Sequence, residues 1–513
     1  MNLVKFREKI RFALQFKLCS FKEGNNDQGF CQLLKIMVIA PLLTIIFSYI
    51  FDTWDWGLMD DMWIIHSGTN ALTRSLNLFR AMLNFGQFRL TFAVYAGFFY
   101  SIFKNYPVFF YIFKALVIYM VLFLWGRQAY KITKRRLTVL LFMGISLSFH
   151  YLYDAFFYLS SHEFLGLFFV ALSFNFFLQN LESILGGDFS QNHDKPKNYS
   201  LKSYALAVFF LFLAYGSKEQ FTSCGLAFGF SYLYLAFKLR KEKCSITLLQ
   251  LGLLLIIGTF AYGAALLNIV KSHYTSTYAF NPAKFVSTFK NWLKKDFINH
   301  LPWIGAVIFI TNICQRRARP ASKSKPLALK KQWAVCLSLS FYIFFLIVLL
   351  PWNTISYYAT PFAVFFAFFA VLIISQPVLN CNLKFQAFIV ISAMIFNQLV
   401  CEYALARESS YQRDTAGLLK WLKKDDSIRN IPAGYSVHSN AAEPAGAITR
   451  LANMKWNLGI ESFVFSVNPD RPVEEKEAKY YLYSPRFQKI NMGRLKNWNI
   501  VFFNDNWVMF KRP

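Results

Sequence analysis

Apolar runs of span-like length alternate with short polar islands through most of the chain, and every second island is densely basic. A helix needs about 20 apolar residues to cross the hydrocarbon of a bilayer. By that measure, and by charge, eleven spans are predicted, at 34–51, 107–125, 137–151, 164–181, 204–215, 221–237, 246–270, 301–314, 333–350, 357–375 and 385–403. With that number, the clusters Arg127 to Arg136, Lys195 to Lys202, Lys238 to Lys243 and the RRARPASKSKPLALKK run all fall on one face. Short basic loops mark the cytoplasmic side, so the N-terminus is expected inside and the C-terminus outside.

Three regions break the alternation. Residues 1–33 interleave Lys5, Arg7, Lys9 and Arg11 with Ile10, Phe12 and Leu14, a basic amphipathic pattern suited to the inner leaflet. The first outer loop, 52–106, holds Leu72, Leu76, Phe79 and Leu83 at helical spacing and then a 90–103 run too short to span, so both are read as interfacial helices. From 404 onward the composition is that of a soluble module. A helix over SSYQRDTAGLLKWLKKDD precedes the strands YSVHS, KYYLYS and NIVFFNDNWVMFKRP, the last predicted to fold into a hairpin around 504–506. The fold class expected is a polytopic α-helical membrane protein, transmembrane over 34–403, with a small extracytoplasmic α/β domain.

Composition agrees. Of the 513 residues 56% are hydrophobic and 16% charged, against about a quarter charged in soluble proteins. The net charge of +28 sits in short clusters between spans, which argues for topology and against a face that tracks nucleic-acid phosphates. The eight cysteines are scattered, without metal-ligand spacing, and read as small apolar residues.

Acids are scarce, 27 against 55 basic residues, so their grouping carries information. Asp52, Asp55, Asp60 and Asp61 crowd the stretch FDTWDWGLMDDMW directly after the first span. They fit either solvated caps or, for the adjacent Asp60 and Asp61 among tryptophans and methionines, a general base or ligands for a hard divalent cation such as Mg or Mn. A second island, GSKEQF, places Lys218 and Glu219 between two spans, as a snorkelling pair or a phosphate contact. A third holds His150, Asp154, His162 and Glu163, which are structural or metal-binding. Arg74, Arg80, Arg89 and the lysines of 271–300 are basic residues on the expected outer side, suited to lipid headgroups or to a lipid phosphate. Tyr357 and Tyr358 start the tenth span, where tyrosines anchor at the interface or stack on a sugar.

Taken together, LMDDMW (58–63), GQFR (86–89) and SKEQ (217–220) in this order and topology resemble the GT-C integral membrane glycosyltransferases. The chain departs from them in having adjacent acids and Leu90-Thr91 where bacterial members often carry a proline. The resemblance implies inverting transfer of a sugar from a polyprenyl-phosphate donor to a glycan, lipid or protein acceptor on the outer face of a bacterial inner membrane. It implies Asp60 as general base with Asp61 beside it. Lys218, Arg89 and Arg80 would bind the donor phosphate, and Glu219, Tyr357 and Tyr358 the substrate. Asp60, Asp61, His162 and Glu163 would be the candidates for a divalent metal. Other readings are a lipid-diphosphate-dependent ligase or polymerase, a lipid or ion transporter, and a scaffold. A transporter is expected to place more polar residues in its spans than Asn175 and Asn397.

Overall fold

The structure, a computed structural model, describes residues 25–52, 54–55, 64, 70–84, 87–103, 106–159, 161–189, 198–269, 282–295, 304–305, 325–349, 359–374, 383–424, 436–439, 478–485 and 497–513. These residues are mostly helical, with four short strands near the C-terminus. The helices are α1 (Asn25–Phe51), α2 (Ala71–Asn84), α3 (Leu90–Phe103), α4 (Pro107–Thr133), α5 (Leu137–Leu147), α6 (His150–Phe157), α7 (Glu163–Phe189), α8 (Asn198–Tyr215), α9 (Thr222–Lys238), α10 (Cys244–Ile269), α11 (Pro282–Lys295), α12 (Lys325–Leu349), α13 (Thr360–Ile374) and α14 (Leu383–Lys424).

Four helices, α1, α4, α7 and α10, are long and apolar enough among the described residues to cross a membrane. They correspond to the first, second, fourth and seventh predicted spans. Their outward surfaces match that environment: α4 exposes Phe109, Leu116, Met120 and Phe123 along one stripe, and α10 exposes Leu249, Leu253, Leu254, Ile257 and Phe260. Water penalises such continuous apolar surface and lipid does not. The chain is a helical membrane protein.

Because lipid is as apolar as leucine, the bundle is held by ring packing and by satisfied polar groups. Trp125 of α4 is fully buried and packs edge-on against Phe341, Phe365 and Phe368 from α12 and α13. Its indole N–H donates to Leu167 O at 3.1 Å, so the large ring carries no unmet donor into the core.

Several elements differ from the expectation. α4 runs on to Thr133, past the predicted 125, and stops where Lys134 turns left-handed (φ 61°) and donates its amide to Tyr130 O at 2.7 Å. The predicted third span is split, since Phe149 is extended (φ −96°, ψ 122°) between α5 and α6. Much of the expected 150–164 loop is therefore the helix α6. The 90–103 run is a 14-residue helix, as expected: α3 buries Phe92, Tyr95, Ala96 and Tyr100 and leaves Leu90, Val94, Phe98 and Ile102 exposed. The final predicted span and the helix after it are one element, the 42-residue α14.

The strands β1 (Ser436–Ser439), β2 (Ala478–Tyr483), β3 (Asn499–Phe503) and β4 (Val508–Lys511) form one sheet in the order β1-β2-β4-β3. β1 and β2 are parallel, and the other pairs are antiparallel. The β3–β4 hairpin turns at Asn504, whose Oδ1 accepts the amide of Trp507 at 2.8 Å. It docks on α14: Asn504 Nδ2 donates to Asp414 O (2.8 Å), Asn506 Nδ2 to Asp414 Oδ2 (2.6 Å) and Trp507 Nε1 to Thr415 Oγ1 (3.0 Å).

Candidate functional site

The polar island after α8 is built by a tight reversal. The amides of Gly216, Ser217 and Lys218 close back onto Phe212 and Ala214, and Lys218 is then fully extended (φ −162°, ψ 136°) before a single 3-10 turn, Glu219–Phe221. Two close approaches fix this reversal. Gly216 O accepts the Thr91 amide from the start of α3 at 2.9 Å, and a Cβ on Gly216 would lie 2.7 Å from Thr91 Oγ1. Phe221 is fully buried against Gly166, one turn beyond Glu163 on α7.

An extended residue sends its side chain opposite to that of its neighbour. Lys218 therefore reaches into the bundle and pairs with Glu163, and both side chains are buried, at 5% and 0% exposure. Glu219 turns outward and accepts Arg89 Nε at 3.2 Å, with side-chain exposures of 31% for Glu219 and 10% for Arg89. Three elements far apart in sequence thus bring two cations and two carboxylates together. Of the two sequence readings of Lys218 and Glu219, the snorkelling pair is not what forms. The ion pair of Lys218 is with Glu163, and that of Glu219 is with Arg89.

Burial pushes the Lys218 ammonium down to about 8, because desolvation outweighs the attraction of Glu163 while Arg89 adds repulsion. The Lys218–Glu163 pair is closed off, and removing either partner would strand a buried charge. The Arg89–Glu219 pair is the less buried one. Among the described residues Glu163 Oε2 and Glu219 Oε1 make no hydrogen bond. An arriving oxyanion would meet Arg89 by displacing the Glu219 carboxylate.

The segment between α6 and α7 is held from beneath. Lys114 of α4, fully buried, donates to Tyr158 O and to Ser161 Oγ (2.6 Å), and lies 5.3 Å from the centre of the Phe164 ring. His162 is buried with its ring 4.5 Å from that of Phe92 on α3. Lys114 was missed in the sequence, although it is the lone charged residue in the 107–125 run, and a charge at that depth is the usual mark of a functional or structural polar site.

The acidic stretch begins beside this segment. Ser48 Oγ donates to Asp52 Oδ2 at 3.0 Å and lies 2.6 Å from Ser409 Oγ of α14, while Arg413 approaches Asp52 at 3.7 Å. Trp54 is buried among Tyr49, Tyr111 and Phe157 at ring separations of 5.3, 5.9 and 5.4 Å. Since Phe157 ends α6 and Glu163 starts α7, Trp54 and the paired ions are at one end of the bundle. Ile64, also buried, accepts Arg74 Nη1 at 3.3 Å. Asp60, Asp61, Tyr357 and Tyr358 lie outside the described residues. Arg80 is exposed on α2 and takes no part in the two ion pairs.

No family model, curated protein or solved structure matches the chain. The resemblance to GT-C enzymes therefore rests on the pattern of the chain itself. For a metal, no group of three or more His, Cys, Asp or Glu among the described residues is arranged to hold one. Of the four candidate ligands, Glu163 is paired with Lys218 and His162 packs on Phe92, while Asp60 and Asp61 lie outside the described residues.

Proposed function

We propose that this protein is a GT-C-like glycosyltransferase that moves a sugar from a polyprenyl-phosphate donor to an acceptor hydroxyl at the outer face of a bacterial inner membrane, through an eleven-span body with the N-terminus inside. The observation that supports it best is the half-exposed Glu219 holding Arg89, backed by the buried Lys218–Glu163 pair. Arg89 suits a phosphate leaving group, since a guanidinium bonds phosphate strongly where water is partly excluded. Lys218 adds positive charge behind it, and Glu163 keeps that charge in place. Glu219 is the group that yields, and is then free to bond a sugar hydroxyl.

In this reading Asp60 takes the proton of the acceptor hydroxyl, with Asp61 beside it. The acceptor oxygen forms its bond to the anomeric carbon as the bond from that carbon to the phosphate oxygen breaks. The electron pair leaves with the polyprenyl phosphate, whose charge Arg89 and Lys218 meet. A single displacement of this kind inverts the anomeric centre. The test is transfer of labelled sugar from polyprenyl phosphate in proteoliposomes by wild type and Asp60→Asn. Loss of transfer in a folded Asp60→Asn protein is expected, and full activity would remove Asp60 from the mechanism.

A further inference from the structure

The exposed apolar stripe of α4 runs into positive charge. Phe109, Leu116, Met120 and Phe123 are followed on the same side by Arg127 and, at the helix end, Lys134, both exposed. With 3.6 residues per turn, these six positions fall within about 60° of arc. Lys131 stands beside them, half-buried, and its Nζ donates to Asn175 Oδ1 of α7. Arg127 and Lys134 repel Lys131, and Glu182 of α7 attracts it. Glu182 is itself paired with Lys330 of α12 at 2.9 Å. One carboxylate, already engaged, thus answers cations from two helices.

This cluster is at the end of the bundle remote from the Lys218–Glu163 pair. On α7, Glu182 lies nineteen residues after Glu163, about 28 Å along a helix and close to the depth of a hydrocarbon core. The cations therefore stand at the opposite membrane surface, where an apolar stripe meets the headgroups. Surplus positive charge at the head of an apolar track suits an amphiphile with an anionic head. A soluble polyanion would leave the stripe uncovered, and a zwitterionic headgroup would bring its own cation toward Lys131. We infer that Arg127 and Lys134 hold the phosphate of an anionic phospholipid whose acyl chain lies along Phe123, Met120 and Leu116. Arg127 offers a planar fork of donors to the phosphate oxygens, Lys134 a point charge beside it, and Lys131, held by Asn175, adds its field. The inference does not rest on the transferase reading, since it concerns the other membrane surface.

Binding is measured by native mass spectrometry on the full chain in neutral detergent. The probes are dioleoyl phosphatidylglycerol, dioleoyl phosphatidylcholine and inorganic phosphate. Each basic residue facing anionic lipid is worth about fivefold in affinity. Wild type is expected to prefer phosphatidylglycerol by about tenfold or more, and Arg127→Gln/Lys134→Asn to hold that preference below about threefold. Asparagine suits position 134 because the backbone there is left-handed. The control Lys420→Gln/Arg512→Gln removes two exposed cations elsewhere and is expected to keep the wild-type preference. No preference in wild type, or an equal loss in the control, would overturn the inference. Displacement of phosphatidylglycerol by excess inorganic phosphate would also overturn it, in favour of a site for free phosphate. If the double variant does not fold, Arg127→Gln alone replaces it: a loss of about fivefold supports the site, and an unchanged preference rejects it.

Discussion

Arg89 and Glu219 lie 130 positions apart in the chain and meet at 3.2 Å, with the carboxylate the more exposed of the two. Of the two ion pairs this is the less buried, and so the one a ligand would open. Arg89→Gln is expected to raise the donor KM by about ten- to a hundredfold, the range for losing one charge-assisted contact. Glu219→Gln removes the competing charge but keeps a side chain that can bond the sugar hydroxyl, and is expected to leave the donor KM level or lower it. A rise in both variants would mean that the pair serves the fold and not the ligand.

The inner pair behaves differently. Lys218→Met leaves the Glu163 carboxylate buried without its cation, and a loss of about 3–5 kcal/mol in stability is expected. The double variant Lys218→Met/Glu163→Leu removes both charges and is expected to recover most of that loss. Thermal unfolding of the purified protein in detergent measures both.

Acidity gives Lys218 a pH signature. Its folded value of about 8 is below the ordinary 10.5, so the unfolded chain holds this proton more tightly than the folded one. The cost of the charged form is fully present below about pH 8 and is relieved as pH rises from 8 toward 10.5. For this group alone, stability rises with pH across that window. Donor affinity moves the other way, because the positive charge behind Arg89 is lost above about pH 8. The donor KM of wild type is therefore expected to climb between pH 7.5 and 9, in a profile that Lys218→Met lacks; an identical climb in that variant would assign the titration elsewhere.

The junction of α3 with the reversal is tight. Adding a methyl at Gly216 places carbon 2.7 Å from Thr91 Oγ1. Gly216→Ala is expected to cost about 1–3 kcal/mol as the helix start is pushed away and to raise the donor KM, since Arg89 immediately precedes α3. Thr91→Ala in the same chain is expected to relieve part of both effects.

Hydropathy made α1, α4, α7 and α10 legible, and alternation with turn residues gave the hairpin at Asn504. Arg89, Glu163, Lys218 and Glu219 were all singled out as residues, but their pairing was not. Adjacency in sequence suggests that Lys218 and Glu219 act together, whereas the extended backbone at Lys218 sends them apart, to partners 55 and 130 positions away. Lys114 was hidden because a hydropathy window averages over a single charge. The continuity of α14 was overlooked for the opposite reason. A change of polarity near Arg407 resembles the end of a span, yet the 383–416 segment holds no glycine or proline to stop the helix.

At about 1.5 Å per residue, the 42 residues of α14 extend about 63 Å, twice the thickness of a hydrocarbon core. Along that one helix, Ser409 and Arg413 approach Ser48 and Asp52, and Asp414 and Thr415 hold the hairpin. The C-terminal sheet is therefore set by helical phase. One residue inserted after Arg413 would turn the sheet by about 100° against Asp52 and lift it 1.5 Å, whereas seven would restore the facing side nearly two turns higher.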